Sequence, residues 1–111
     1  MIQVSEEVLK QMVDAIVREV DPERIVLFGS RARGEAREGS DFDLLIVERE
    51  PFGPTRSRFA EASRIWDLAA RLRFPADVLL YSTDELERWR HSRNHLIATA
   101  LAEGNQLYER R

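Results

Sequence analysis

Cysteine is absent from the 111 residues, and lysine nearly so: sixteen of the seventeen basic residues are arginine, Lys10 being the exception. Without thiols there is no disulfide framework and no zinc–thiolate site. Long apolar runs are missing too, so nothing approaches the roughly 20 residues that a membrane-spanning helix needs. The opening MIQVSEEVLKQMVDAIV carries too much charge for a secretory signal, and the expectation is a cytoplasmic protein with no membrane partner. A positive balance is also lacking. Twenty acidic residues against seventeen basic ones leave a net charge of -3, which argues against a general nucleic-acid binder. The arginine bias suits phosphate recognition, but GC-rich coding or thermal adaptation produces the same bias, so it points only weakly. No internal repeat, low-complexity tract or interdomain linker interrupts the chain, and 1–111 is read as one domain.

What is there alternates between two periods. Apolar residues at Val8, Met12, Val13, Ile16, Val17 and Val20 fall on one stripe, which predicts a helix from about Ser5 to Val20, ended by Asp21-Pro22. Arg24–Phe28 is a short apolar run that reads as a strand buried on both faces. A short helix is expected from Arg31 to about Ala36, and a turn at Glu38-Gly39-Ser40 leads to a strand over Asp41–Val47. Glu48–Thr55, with two prolines and a glycine, is a loop, read as a lip beside the site. Helical spacing returns over Arg56–Leu72, a third strand follows over Pro75–Tyr81, and a helix starts near Thr83. That helix is expected to break around His91-Ser92 before Gly104, with Asn105–Glu109 as a short edge strand. Helices alternating with strands predict an α/β domain.

The stretch with chemistry is FGSRARGEAREGSDFDLLIV, Phe28 to Val47. Gly29 permits a tight turn and a close approach of phosphate to the backbone. Ser30 is a good N-cap for a helix turn begun by Arg31-Ala32-Arg33, and the free N–H groups of such a turn attract phosphate. Asp41 and Asp43 sit two apart on the predicted strand, so both carboxylates leave one face together with Leu45 and Val47. Two hard oxygen donors on one face suit magnesium, with a nucleoside triphosphate supplying further oxygens. Asp77 opens an otherwise apolar strand, an expensive position for a carboxylate unless it is solvated, paired or bound to metal.

Gly29-Ser30, ten residues, then Asp41-Phe42-Asp43 resembles the signature of the nucleotidyltransferase superfamily. Within it the chain is most similar to the minimal nucleotidyltransferases (MNT), small relatives of the DNA polymerase beta palm. Ala32-Arg33-Gly34 and Ser40 also resemble that subgroup. The resemblance spans nearly the whole chain and implies a mixed sheet with helices packed mainly on one side. It implies Asp77 as the third carboxylate, so that Asp41, Asp43 and Asp77 form the catalytic and metal-binding set. Gly29, Ser30, Arg31 and Arg33 become the triphosphate-binding residues, with Mg2+ as cofactor and ATP as nucleotide donor. The implied reaction moves a nucleoside monophosphate, most often AMP, to an acceptor hydroxyl. Larger relatives carry domains that grip the acceptor; here a partner chain or a homo-oligomer interface is expected to supply it. Minimal members commonly act as antitoxins that adenylylate a helical ribonuclease toxin on a tyrosine, in HEPN/MNT-type pairs. The competing expectation is a non-catalytic nucleotide-binding antitoxin that neutralises its partner by occlusion.

Three other features invite weaker readings. Arg90, four residues, then His95 matches the spacing of the toxins' ribonuclease motif, but without a helical bundle around it a solvated helix face is expected. His91 and His95 could share a helix face as metal ligands, with no third ligand nearby in sequence. Trp66 and Trp89 fall on apolar helical positions, which predicts core or interface burial rather than base stacking.

Overall fold

The computed structural model describes residues 6–35, 41–92 and 95–110. The chain runs α1 (Glu6–Val20), β1 (Arg24–Phe28), α2 (Gly29–Ala32), β2 (Phe42–Glu48), α3 (Arg58–Arg71), β3 (Ala76–Ser82), α4 (Thr83–Trp89), α5 (Leu96–Glu103) and β4 (Asn105–Glu109). The expected turn at Glu38-Gly39-Ser40 lies outside the described residues. The strands form one mixed sheet in the order β3-β2-β1-β4. β1 pairs antiparallel with β2 and with β4, whereas β2 and β3 run parallel, joined by the α3 crossover. A parallel pair needs such a crossover, and the α3 segment provides it.

Alternation along the strands feeds two cores. Ile25, Leu27, Phe42, Leu44, Ile46 and Leu80 point to one face, where Met12 and Ile16 of α1 and Ala62, Ile65 and Ala69 of α3 cover them. Val26, Phe28, Leu45 and Val47 point to the other, beneath Leu86 of α4 and Ile97 and Ala100 of α5. The two long helices, of 15 and 14 residues, thus share one face, and the shorter ones, of 7 and 8, lie on the other. Helical mass sits mainly on one side because only α1 and α3 are long enough to present a full apolar stripe.

The ends of the elements follow local chemistry. Asp21 adopts a left-handed φ of 47° before Pro22 and stops α1. Ser57 caps α3, its hydroxyl accepting the Ala60 N–H at 3.1 Å, so the helix starts two residues later than its apolar spacing suggests. The backbone N–H of Ser82 donates to Glu85 Oε1 at 3.0 Å at the start of α4. The helical pattern does break near His91: α4 ends at Trp89 and α5 begins at Leu96. His91 and His95 therefore do not share a helix face, which removes their reading as paired ligands. Nor is His95 on a solvated face. Its Nδ1 accepts the Ile97 N–H at 3.1 Å as the cap of α5, and its ring stacks on Trp89 at 4.7 Å. The tryptophans lie outside both cores, Trp66 being 45% and Trp89 37% exposed, so core burial is not their role.

Candidate active site

The site forms where β1 ends, β2 begins and β3 begins. Phe28 pairs with Asp43 across the antiparallel ladder, and Asp43 is the register partner of Asp77 across the parallel one. Directly opposite residues project to the same face, so Asp43 and Asp77 stand side by side, with Asp41 just before the strand. Burial raises the Asp43 carboxyl above its ordinary range, the charges of Asp77 and Asp41 push it further up, and Arg33 pulls it down. Each of these carboxylates therefore lies within electrostatic reach of Asp43.

Gly29 is required twice over. Its φ of +74° is left-handed, and a Cβ there would lie 2.1 Å from Asp43 Oδ2. The missing side chain is what admits the Asp43 carboxylate against the turn. Ser30, in contrast, is not the N-cap its position suggested. α2 starts at Gly29, so Phe28 holds the cap position, without a side-chain cap hydrogen bond, and Ser30 falls inside the first turn. The early start follows from glycine's ability to take the turn one residue sooner. The Ser30 carbonyl accepts the Glu35 N–H at 2.9 Å, which fixes the exit from the turn.

The two arginines of the turn diverge. Arg33 donates from Nε to Glu35 at 3.2 Å and from Nη1 to Glu103 of α5 at 3.5 Å. The Glu35 hydrogen bond and both carboxylate charges raise its pKa further above an already high value. Arg31 places its guanidinium carbon 4.1 Å from the centre of the Phe42 ring. Phe42 leaves β2 on the face opposite Asp43, whereas the charge of Arg33 is felt at the Asp43 carboxyl. Glu103 carries no sequence signal, being 70 residues away from its partner.

Three carboxylates are the donor set that a hard divalent cation takes, and the glycine gap lets one of them sit against the turn. By donor chemistry the three residues suit such an ion. Among the described residues no three His, Cys, Asp or Glu side chains already converge into a ready-made cage. The loop after β2 does not line this site. It leaves the strand beyond Glu48, about 20 Å along β2 from the aspartates, so it is no lip.

Comparison with known proteins agrees with this fold. The nucleotidyltransferase domain model matches residues 9–102, from α1 through α5. The chain belongs to the nucleotidyltransferase domain family. Among solved structures it resembles a protein assigned as a minimal nucleotidyltransferase, at 29% identity and TM-score 0.62, covering 93% of this chain and 96% of that one. A nucleotidyltransferase assigned from Sulfolobus solfataricus is 22% identical at TM-score 0.58, covering 94% of this chain and 79% of that one. A complex of tri-AMPylated Shewanella oneidensis HEPN toxin with MNT antitoxin matches at 18% identity and TM-score 0.55, covering 96% and 74% of the respective chains. The latter two likenesses speak to the fold alone. No curated protein matches the chain. Among the described residues no helix is long and apolar enough to cross a membrane.

Proposed function

We propose that this nucleotidyltransferase moves AMP from ATP to a hydroxyl of a partner protein, a tyrosine of a helical ribonuclease toxin, and so acts as an antitoxin. The observation that carries the reading is the side-by-side register of Asp43 and Asp77, with Asp41 adjacent and Gly29 opening space for the Asp43 carboxylate. The toxin in the Shewanella oneidensis complex bears three AMP groups, which supports the same direction of transfer here. It further supports a HEPN-type toxin as partner; the cytoplasm, where ATP is supplied, is the compartment this reaction calls for.

Asp41, Asp43 and Asp77 would hold magnesium, which when bound screens the triphosphate oxygens and the charge of the departing pyrophosphate. Asp77, at the exposed edge strand, accepts the proton of the acceptor hydroxyl. The freed oxygen forms a bond to the α-phosphorus as the bond from that phosphorus to the β-phosphate bridging oxygen breaks. Pyrophosphate leaves with the electron pair. The backbone of Gly29 and Ser30 and the guanidinium of Arg33 cradle the triphosphate, with Arg31 adding positive charge at the approach. Orientation and electrostatics do most of the work in such transfers.

The test is incubation with labelled ATP, magnesium and the protein that co-purifies with this one, followed by mass spectrometry of both chains. The expected result is AMP on a tyrosine of the partner, which stays inactive after separation. A partner that regains activity on separation with no mass added would instead support neutralisation by occlusion.

A further inference from the structure

Arg71 and Arg73 stand apart from the other arginines of the α3 region. Arg58 and Arg64 of that helix are paired with Glu85 and Glu61. Arg71 and Arg73 are exposed, and neither guanidinium has an ion-pair partner among the described residues. Arg71 ends the helix, where its charge complements the helix dipole. Arg73 lies beyond the Leu72 cap at a left-handed φ of 51°. Its N–H donates to the Ala70 carbonyl at 3.2 Å, and the Phe74 N–H to that of Ala69 at 2.8 Å. This closing turn is one in which glycine is the usual residue, and an arginine there costs stability. A charged side chain held at a strained position without a partner calls for a partner from outside.

We propose that Arg73, with Arg71 beside it, receives an acidic segment of the acceptor protein, whose carboxylates lie within about four residues of the hydroxyl that takes AMP. The inference rests on the transferase reading above. In-line displacement brings the acceptor oxygen in opposite the departing pyrophosphate. The cradle for that pyrophosphate closes β1, Asp43 stands on β2 and Asp77 on β3, the outer strand. The acceptor therefore arrives from the β3 side. The turn that carries Arg73 is fastened to this end of the sheet. Buried Phe74 packs on Phe42 at 4.6 Å, and the Phe42 N–H donates to the Pro75 carbonyl at 2.7 Å. From Arg73 to Asp77 the chain spans at most about 14 Å. A standard interface covers about 800 Å² of each partner, a disc about 16 Å in radius, so one centred on Asp77 covers this turn.

Charge decides the occupant. The chain carries a net charge of -3 and leaves Asp41 and Asp77 exposed at the same rim. A nucleic-acid backbone lying along that rim would run over both carboxylates and be repelled. Isolated carboxylates of a protein need only reach the two guanidiniums, whose forked donors match them. Because Arg71 and Arg73 are exposed, they act on encounter and on choice of partner more than on the strength of the seated complex.

The probes are fluorescein-labelled decapeptides with one tyrosine and, within four residues of it, two glutamates, two serines or two lysines. Anisotropy without ATP reports binding, and mass spectrometry with magnesium and ATP reports transfer. Binding should rank glutamate above serine above lysine. Arg73→Glu should weaken the glutamate peptide about fivefold or more at low salt, with the gap closing as salt rises. In transfer the loss should fall on KM, with kcat and ATP affinity within about twofold. Arg73→Lys should keep the preference. Arg73→Gly should lose it while raising Tm by a few degrees, since glycine takes the left-handed φ without strain. A residue with only a structural role would not move recognition and stability in opposite directions.

Acid-selective binding without transfer leaves the docking surface standing and sinks the transferase reading. Transfer equal across the three peptides overturns the surface and spares the enzyme. A glutamate preference that survives Arg73→Glu and Arg73→Gly overturns it as well, as does binding of none of the peptides. Loss of ATP affinity in Arg73→Glu would give the arginine to the triphosphate instead. A labelled single-stranded RNA bound by the parent and released by the same variant would give it to nucleic acid.

Discussion

The two ends of β2 solve one problem in opposite ways. Each brings carboxylates together: Asp41, Asp43 and Asp77 at its start, Glu48 with Glu61 of α3 at its finish. At the finish, Arg56 Nη2 donates to Glu48 Oε1 at 2.5 Å and to Glu61 Oε2 at 2.9 Å, and Arg64 Nη1 donates to Glu61 at 2.8 Å. Glu48 is 3% exposed and Glu61 9%. Burial of the Glu61 charge there is compatible with folding only because arginines sit inside the cluster. At the start, Asp41 and Asp77 are exposed, and Arg33 is drawn away by Glu35 and Glu103. Carboxylates that architecture needs are compensated from within the chain. Those left facing one another at a rim keep their repulsion until something cationic arrives.

That contrast is broken most visibly by charge removal at the start of β2. Asp43→Asn should lower nucleotide transfer roughly 100-fold or more, because a ligand charge at the reacting phosphate is lost. Asp41→Asn should act in the same direction. Both variants should melt no lower than the parent, since each removes a repelling charge from a rim. A thermal melt beside the transfer assay checks both halves, and a variant that keeps transfer within a few-fold would remove the carboxylate from the chemistry.

The finish of β2 should respond in reverse. Arg56→Ala leaves Glu48 without its arginine and Glu61 with Arg64 alone. Removing one partner of a buried pair costs about 3–5 kcal/mol, and because Arg56 keeps 23% of its side chain exposed the lower end applies. A fall in Tm of roughly 10–20 °C follows for a domain of this size. Transfer measured well below that Tm should be near the parent's.

Much of this comparison was legible beforehand, but only one end of it. The Gly29-Ser30 spacing to Asp41-Phe42-Asp43 is local, so the sequence displays it directly, and strand alternation correctly puts Asp43 with Leu45 and Val47. Every strand and long helix follows from period and breaker residues. The Glu48–Arg56–Glu61 cluster was not legible, because whether three charged residues within fourteen positions are solvated or buried depends on how the loop folds onto α3. Phe52 is what folds it back: its ring lies under both Arg56, at 4.4 Å, and Arg58, at 4.7 Å. Ser30 was misplaced for the same kind of reason, since capping depends on which residue takes the left-handed φ. That Trp66 lies outside the core was not legible, because an apolar helical position cannot say whether the neighbouring strand is the last one in the sheet.

A third prediction uses pH at the finish of β2. Burial, then the hydrogen bond and charge of Glu61, push the Glu48 carboxyl up to about 8 against the opposing pull of Arg56. Burial works to raise Glu61 as well, but the Glu48 hydrogen bond and the charges of Arg64 and Arg56 outweigh it and hold that carboxyl low. One guanidinium edge is shared by two carboxylates, and only Glu61 has a second arginine, so Glu48 keeps the proton. Its Oε2 is buried without a hydrogen-bond partner, which adds to the cost of ionising it. From the ordinary carboxyl value of 4.5 to about 8, the folded chain binds more proton at Glu48 than the unfolded chain does. Stability therefore falls as pH rises through that window, by up to a few kcal/mol. Glu61 contributes stability that is lost only at acid pH, below its unfolded value. Glu48→Gln should flatten the slope between pH 5 and 8 in denaturant titrations, and a slope of unchanged steepness would place the proton elsewhere.

The smallest expected effect returns to the start of β2 and divides a glycine's two duties. Gly29→Ala forces a Cβ onto a residue at φ +74° and toward Asp43 Oδ2. The left-handed conformation alone costs an L-residue about 1–2 kcal/mol. The remaining cost comes from displacing the carboxylate, and it appears in transfer more than in stability because Asp43 is free to swing toward solvent. In an Asp43→Ala background the obstructing oxygen is gone, although the Asp43 Cβ stays 3.3 Å from the new methyl. There, Gly29→Ala should cost only the backbone strain. A double-mutant cycle in Tm and denaturant midpoint measures the difference. A coupling near zero in stability, with transfer in Gly29→Ala already reduced tenfold or more, would assign the glycine to positioning the carboxylate. A large coupling in stability would instead make the carboxylate a fixed wall of the turn.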